Sequence, residues 1–317
     1  MLLRQLEYLV ALARERHFAR AADACHVSQP SLSAAIRKLE HELGAPIVRR
    51  GRRFEGLTPE GERVLLWAHR ILAECDGMRQ DLSTMRSNLS GVLRVGTIPT
   101  SLTAATLLTT PFCERHPHAR VSLESLPSRE ITRRLAEYEL DIALTYVDDE
   151  ELGAVRTFPL YEERYLLLTP RDGKLAGRER VRWAEVATVP LCLLGPQMRN
   201  RRILDGFFAD AGASVVPAIE TDTVSALYAH VASRRWSSVI SHAWLHMFGV
   251  PPGMRVVPLE TPARPPQIGL VMADRDPEPI LARALLEVTP QVDVRGVLER
   301  VLAGFLAPAR QPGPISA

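Results

Sequence analysis

The pattern that most restricts this chain is a run of apolar residues near its start. Val64, Ala68, Ile71, Cys75, Met78, Leu82, Met85 and Leu89 follow one another at steps of 4, 3, 4, 3, 4, 3 and 4. Such a rhythm is a heptad seam on a long helix. Thr58 is a good cap for that helix and Pro59 suits its first position, so a helix is expected over 59–89. A short N-terminal neighbour is not expected to cover so long a stripe. The seam Val64, Ala68, Ile71, Cys75, Met78, Leu82 and Met85 is therefore expected to pair with the same helix of a second copy. The chain then divides into a module at 1–58, a dimerising linker helix at 59–89, a body at 90–307 and a Pro-rich, disordered tail at 308–317.

Charge divides along the same boundary. Residues 1–58 carry ten Arg/Lys against six Asp/Glu, a net of +4, while the whole chain is only +2. A basic module on a near-neutral body points to a polyanion partner for the module alone. Within it, Leu3, Leu6, Val10 and Ala13 lie on one face of a first helix. A second helix at 18–25 has the small inner face Ala21, Ala22 and Cys25, and His26-Val27 makes a turn. Ser28 then caps a third helix that Gly44 stops. In that helix Leu32, Ala35, Ile36, Leu39 and Leu43 form the buried stripe. Gln29, Pro30, Ser33, Ala34, Arg37 and Lys38 lie outward or at its start. This is the division of a recognition helix, in which Gln meets a base edge and Arg or Lys meets phosphate. The segments 47–50 and 54–57 read as two strands of a wing with a basic tip of Arg49, Arg50, Arg52 and Arg53 around Gly51, suited to the nucleic-acid backbone.

The run FARAADACHVSQPSLSAAIRKLEHELGAPIVRR, followed by LTPEGERVL, resembles the winged helix-turn-helix of LysR-type transcriptional regulators over about the first 65 residues. Its Ala-Ala, Ser-Gln, Ser-x-x-Ile-x-x-Leu-Glu and Leu-Thr-x-x-Gly elements occur in order. The resemblance implies base and phosphate contacts from Gln29, Pro30, Ser33 and Arg37, with Ser28 and Lys38 beside them, and wing contacts from the arginines. Ala34 stands where the family often has a longer polar side chain. It also implies double-stranded DNA with a pseudo-palindromic operator as partner, a homodimer or homotetramer joined through the linker helix, and RNA polymerase as a partner if the protein activates. A ligand would then change the bending of the DNA.

From residue 90 the rhythm changes. Strand-like runs at 92–98, 120–126 and 141–146 alternate with helical runs at 104–113 and 128–137, the pattern of a parallel sheet with helices on its faces. Strands at 191–194, 215–220, 237–241, 254–258 and 267–272 and helices at 199–210, 223–233, 278–288 and 294–306 continue it. The fold class is thus multidomain: an α-helical winged helix-turn-helix, a long linker helix, and an α/β body. Two lobes, about 90–161 with 267–307 and about 162–266, resemble the effector-binding domain of the same family, itself similar to periplasmic binding proteins. Ligands in such folds lie between the lobes, near strand C-termini and helix N-termini. The expected effector-binding residues are Thr100, Ser101, Gln197, Met198, Arg199, Thr221 and Thr223, with Arg234 and Arg235 as anion partners. Residues 227–258 resemble family members found beside formate dehydrogenase operons, which implies formate or another small carboxylate as effector.

Other classes fit less well. There is no nucleophile elbow, P-loop or dinucleotide fingerprint, so no catalytic residue and no cofactor is assigned. His242 and His246 have i, i+4 spacing but no third ligand, and no metal is expected. No apolar run reaches the roughly 18 residues that span a bilayer, and Arg4 and Glu7 break the N-terminal apolar pattern, so a cytoplasmic protein without a membrane partner is expected. Cys25, Cys75, Cys113 and Cys192 are widely separated. Two alternatives remain: a thiol-based redox-sensing regulator using Cys113 and Cys192, and a solute-binding protein without DNA activity.

Overall fold

The structure is a computed structural model that describes residues 1–50, 54–84, 89–148 and 152–306. Arg52, Arg53, Met85 and the tail 308–317 lie outside those residues.

The first unit is built on α1 (Leu3–Glu15), α2 (Phe18–Ala24) and α3 (Gln29–Leu43), followed by β1 (Val48–Arg50), β2 (Phe54–Leu57) and α4 (Pro59–Thr84). Local chemistry sets the ends of these helices. The Ser28 hydroxyl accepts the Ser31 N–H at 3.3 Å, and Gly44 closes α3 in the left-handed region at φ 67°. Leu6, Leu9, Leu12, Leu32, Ile36 and Leu39 interlock in one core. The long helix joins that core: Ala68 is fully buried in it, and Val64, Leu65, Ile71 and Leu72 pack against it. This corrects the expectation that the N-terminal module could not cover the seam, because the apolar face of α1 lies along α4. Among the described seam residues the later ones are open, with Met78 61% and Leu82 55% exposed, and Trp67, off the seam, is 56% exposed.

Lobe I has the five-stranded sheet order β4-β3-β5-β12-β6. It is formed by β3 (Gly91–Thr97), β4 (Ala119–Ser125), β5 (Ile142–Tyr146), β6 (Val155–Glu162) and β12 (Gln267–Ala273). The first three are mutually parallel, as βαβ crossovers through α5 (Leu102–Arg115) and α6 (Ser128–Ala136) require, and β12 enters antiparallel between β5 and β6. Lobe II holds β7 (Tyr165–Pro170), α7 (Trp183–Val186), β8 (Cys192–Leu194), α8 (Arg199–Asp210) and β9 (Ile219–Thr221). It continues with α9 (Val224–Ala232), β10 (Ser238–Ser241), α10 (Ala243–Phe248) and β11 (Met254–Pro258). Its strands pair as β10-β7-β11 and β8-β9, linked by a parallel bridge between Leu191 and Ser237. Two apolar clusters cover the two faces of this sheet.

The chain crosses between the lobes twice, and the crossings touch: the Glu163 N–H donates to Pro266 O at 2.8 Å. Two helices complete the body, α11 (Ile280–Val288) and α12 (Val294–Leu306). The last one spans both lobes, since Val294 and Leu298 lie in the lobe I core and Leu302 in that of lobe II. Among the described residues no helix is long and apolar enough to cross a membrane.

Candidate functional site

Two surfaces carry the candidate chemistry. On the N-terminal unit, burial of Leu32, Ile36 and Leu39 turns the other side of α3 outward. Ser28, Gln29, Pro30, Ala34, Arg37 and Lys38 are exposed there and Ser33 is half-buried, with Arg49 exposed on β1 of the wing. The wing is fixed to α3 by a residue whose role sequence pattern hides. Glu40 is buried, and its Oε1 accepts the N–H groups of Ile47 and Val48 at 3.0 and 3.1 Å. A carboxylate that bonds two buried donors is a rigid joint. The Leu-Thr-x-x-Gly element completes it. Thr58 Oγ1 donates to Pro46 O at 2.6 Å and accepts the Gly61 N–H at 2.9 Å, and a Cβ at Gly61 would collide with Ile47 O. Glycine is required there by close approach of two backbones.

The second surface is a cavity of about 470 Å³ between the lobes. Four helices point their N-terminal residues at it: Thr100 and Leu102 before and in α5, Pro127 before α6, Met198 and Asn200 at α8, and Thr223 to Ser225 at α9. The positive ends of four helix dipoles therefore converge on it. The remaining wall is apolar, with Leu204, Leu227, Val239, Trp244, Met247 and Phe248, and Asp222 is the only charged residue in the lining among the described residues. Tyr228, Trp244 and Phe248 form a ring cluster with centroids 4.8 to 5.8 Å apart. A small recess adjoins the cavity, lined by Thr100, Ser128, Tyr146, Arg199 and Asn200. The Arg199 guanidinium lies over the Tyr146 ring at 5.8 Å.

The structure thus brings Thr100, Met198 and Thr223 to the cavity and Arg199 to its recess. The Thr223 hydroxyl also caps α9, accepting the Ala226 N–H at 3.2 Å. The other expected residues lie elsewhere. Ser101 is buried beneath the site, where its hydroxyl accepts from Tyr161 at 3.3 Å. Gln197 is exposed, and Thr221 accepts the Thr223 N–H at 3.4 Å without reaching the cavity. Arg234 and Arg235 require correction: neither lines the cavity. Arg234 adopts φ 62° in the turn after α9, and its Nε donates to Pro252 O at 3.1 Å on the outer surface, while Arg235 is exposed.

Beneath the cavity lies a polar cluster at the crossing strands. Glu163 is fully buried, and its Oε2 accepts from Tyr146 at 2.9 Å and from Tyr165 at 2.6 Å. Burial pushes this carboxyl above its ordinary range, and the two tyrosine hydroxyls oppose that rise. Asn200, a cavity residue, donates to the Tyr146 hydroxyl at 3.3 Å. Next to it His242 is buried, its Nδ1 accepting the Arg164 N–H at 3.2 Å; burial pushes its value down to about 4. That bond also takes His242 away from any ligand role with His246.

A DNA-shaped winged helix on a long helix, followed by a two-lobed domain with a ligand-sized cavity, defines the class of effector-responsive DNA-binding regulators. The chain belongs to the LysR family: residues 3–62 match the model of the bacterial regulatory helix-turn-helix protein, lysR family, and residues 86–292 match the LysR substrate binding domain. It is similar to the hydrogen peroxide-inducible genes activator of Pectobacterium carotovorum subsp. carotovorum, 36% identical over 216 residues, which cover 67% of this chain and 70% of that protein. The DNA-binding transcriptional dual regulator OxyR of Escherichia coli K12 is likewise 36% identical over 217 residues, covering 67% and 70%. Among solved structures, a full-length OxyR variant from Pseudomonas aeruginosa superposes with a TM-score of 0.73 at 26% identity, covering 93% of this chain and 97% of that one. The full-length CbnR complex with its target DNA has the same fold, with a TM-score of 0.68 at 21% identity over 92% and 100% of the two chains. These relatives are transcriptional regulators, not enzymes.

Proposed function

We propose that this regulator, working in the cytoplasm, senses a small molecule with an apolar body and one acceptor group, a carboxylate or a carbonyl, in the interlobe cavity. The observation that carries this reading is the convergence of four helix N-termini on one otherwise apolar cavity. Such ends stabilise an anion or a carbonyl oxygen without a cationic side chain. Formate would occupy a small part of about 470 Å³, a volume in the range that holds much larger ligands. Formate is therefore not the effector proposed here.

At the other end, α3 enters the major groove with Gln29, Pro30 and Ser33 toward the bases, while Arg37, Lys38 and the wing arginines Arg49, Arg50, Arg52 and Arg53 grip phosphate. The open part of α4, Cys75, Met78 and Leu82 with Met85 beyond, joins two copies, or four through their bodies, on a pseudo-palindromic operator. Ligand binding shifts the assembly by its differential affinity for two arrangements, and the DNA bend changes with it.

The peroxide response in the names of the relatives is not carried over through Cys113 and Cys192. Cys113 is exposed on α5 of lobe I, whereas Cys192 is buried in β8 of lobe II with its thiol pushed up to about 11 by burial. A thiol that holds its proton so tightly is a poor nucleophile toward an oxidant.

The test is a thermal-shift series on the full chain with carboxylates of growing apolar body, from formate through acetate to benzoate and phenylacetate, followed by gel shifts on DNA upstream of the gene. A bound ligand raises the melting temperature with its occupancy. The larger acids should raise it and formate should not. A rise with formate alone, or with none of the series, overturns the reading.

A further inference from the structure

A second cavity, of about 370 Å³, lies away from the interlobe cleft, where α4 meets lobe I. One wall is a stripe of α4 at helical spacing, Ala73, Asp76, Gly77 and Gln80; the other is Arg94, Asp141, Arg275 and the turn after β12. Ala73 and Gly77 leave room on the helix side. A Cβ added at Gly77 would meet nothing within 4 Å.

The charges around this space are nearly, but not fully, matched. Asp141 is held by Arg94 through Nη2–Oδ1 at 2.8 Å and Nε–Oδ2 at 3.2 Å, and also accepts the Arg94 backbone N–H at 2.8 Å. Asp76 pairs with Arg79 at 2.9 Å, and Glu278 pairs with Arg156. Two groups are less well matched. Arg275 is 13% exposed, its guanidinium lies over the Tyr138 ring at 4.8 Å, and its nearest carboxylate oxygen, already bonded to Arg94, stands 3.7 Å away. It makes no hydrogen bond among the described residues, although a guanidinium carries five donors. Glu74 is exposed on α4 in the same lining and makes no hydrogen bond or ion pair among the described residues. A half-buried guanidinium with no hydrogen-bond acceptor among the described residues favours a ligand that supplies one.

We propose that this joint binds a small zwitterion, an α-amino acid or a molecule of the same chemistry, with its carboxylate on the Arg275 fork and its ammonium on Glu74. The planar guanidinium matches a carboxylate with two parallel bonds, and Glu74 supplies the opposite charge on the facing wall. Because the walls belong to the connecting helix and to the sensing domain, an occupant holds the angle between them. The site is independent of the interlobe cavity and of what that cavity binds.

The experiment is calorimetric titration of the full chain with the common L-amino acids one at a time, with acetate and methylammonium as single-charge controls. At least one amino acid should bind about tenfold tighter than either control, and Arg275→Gln and Glu74→Gln should each weaken it about tenfold. Gly77→Leu fills the hollow without altering charge and favours the helix, so it should abolish binding in a chain that folds normally. Thr100→Val, in the interlobe cavity, should leave this binding unchanged. Equal affinity for acetate, no binding across the panel, or binding that survives Gly77→Leu overturns the proposal. Binding lost in Thr100→Val but kept in Gly77→Leu overturns it too, while supporting the interlobe reading.

Discussion

The surface proposed to read DNA and the cavity proposed to sense an effector solve opposite problems. On α3 the side chains proposed to meet DNA, Gln29, Arg37 and Lys38, stand in solvent, and the burial that positions them is carried by other residues on the opposite face. Around the cavity the polar groups Glu163, His242, Ser101 and Asn200 are themselves buried and bonded to buried tyrosine hydroxyls or to backbone. Recognition and stability are separable at the first surface and inseparable at the second.

The strongest way to break this contrast is to remove the buried carboxylate that ties the wing to α3. Glu40→Ala strands the Ile47 and Val48 N–H groups and should cost on the order of 3 kcal/mol in urea unfolding, with loss of operator binding. A stable variant would show that the wing is held by other means. Next comes acid. The unfolded chain protonates His242 near its ordinary value of about 6.5, whereas the folded chain resists until about 4. The His242 contribution to stability is therefore complete above about pH 6.5 and lost as pH falls toward 4, by on the order of 3 kcal/mol. His242→Gln should flatten the melting-temperature profile in that window, and an unchanged slope would place the acid sensitivity elsewhere.

On α3 the effects should fall on binding alone. Gln29→Ala is expected to weaken the operator complex by about 1–3 kcal/mol with no change in melting temperature. Arg37→Ala should weaken binding to all sequences alike and reduce the salt slope by about 1. The smallest effect concerns the arginines that sit outside the cavity. Arg235→Ala should leave effector binding within error, and a clear loss would return this residue to the sensing site.

What could be read in the sequence follows from how local its cause is. The caps Ser28 and Gly44 mark α3 to the residue, and the βαβ alternation marks most of both lobes, because hydrogen-bonded ends and periodicity are written in neighbouring positions. The strand β7 carries no such mark: Leu166, Leu167 and Leu168 are buried on both sides, so alternation vanishes. Glu40 and Glu163 escape notice in the sequence, since only tertiary contacts bury them. Arg234 and Arg235 misled for the converse reason. Closeness to a strand in sequence does not say which way a turn faces.

The placement of α12 has a mechanical consequence. A helix nailed into both lobes at its two ends works as a strut, and a strut limits how far the jaws it bridges can swing. The wide gape by which two-lobed receptors swallow their cargo is then closed to this molecule. An effector of the proposed kind would then enter past the exposed Met247 without the jaws swinging wide, and its signal would be a small twist passed to a long lever.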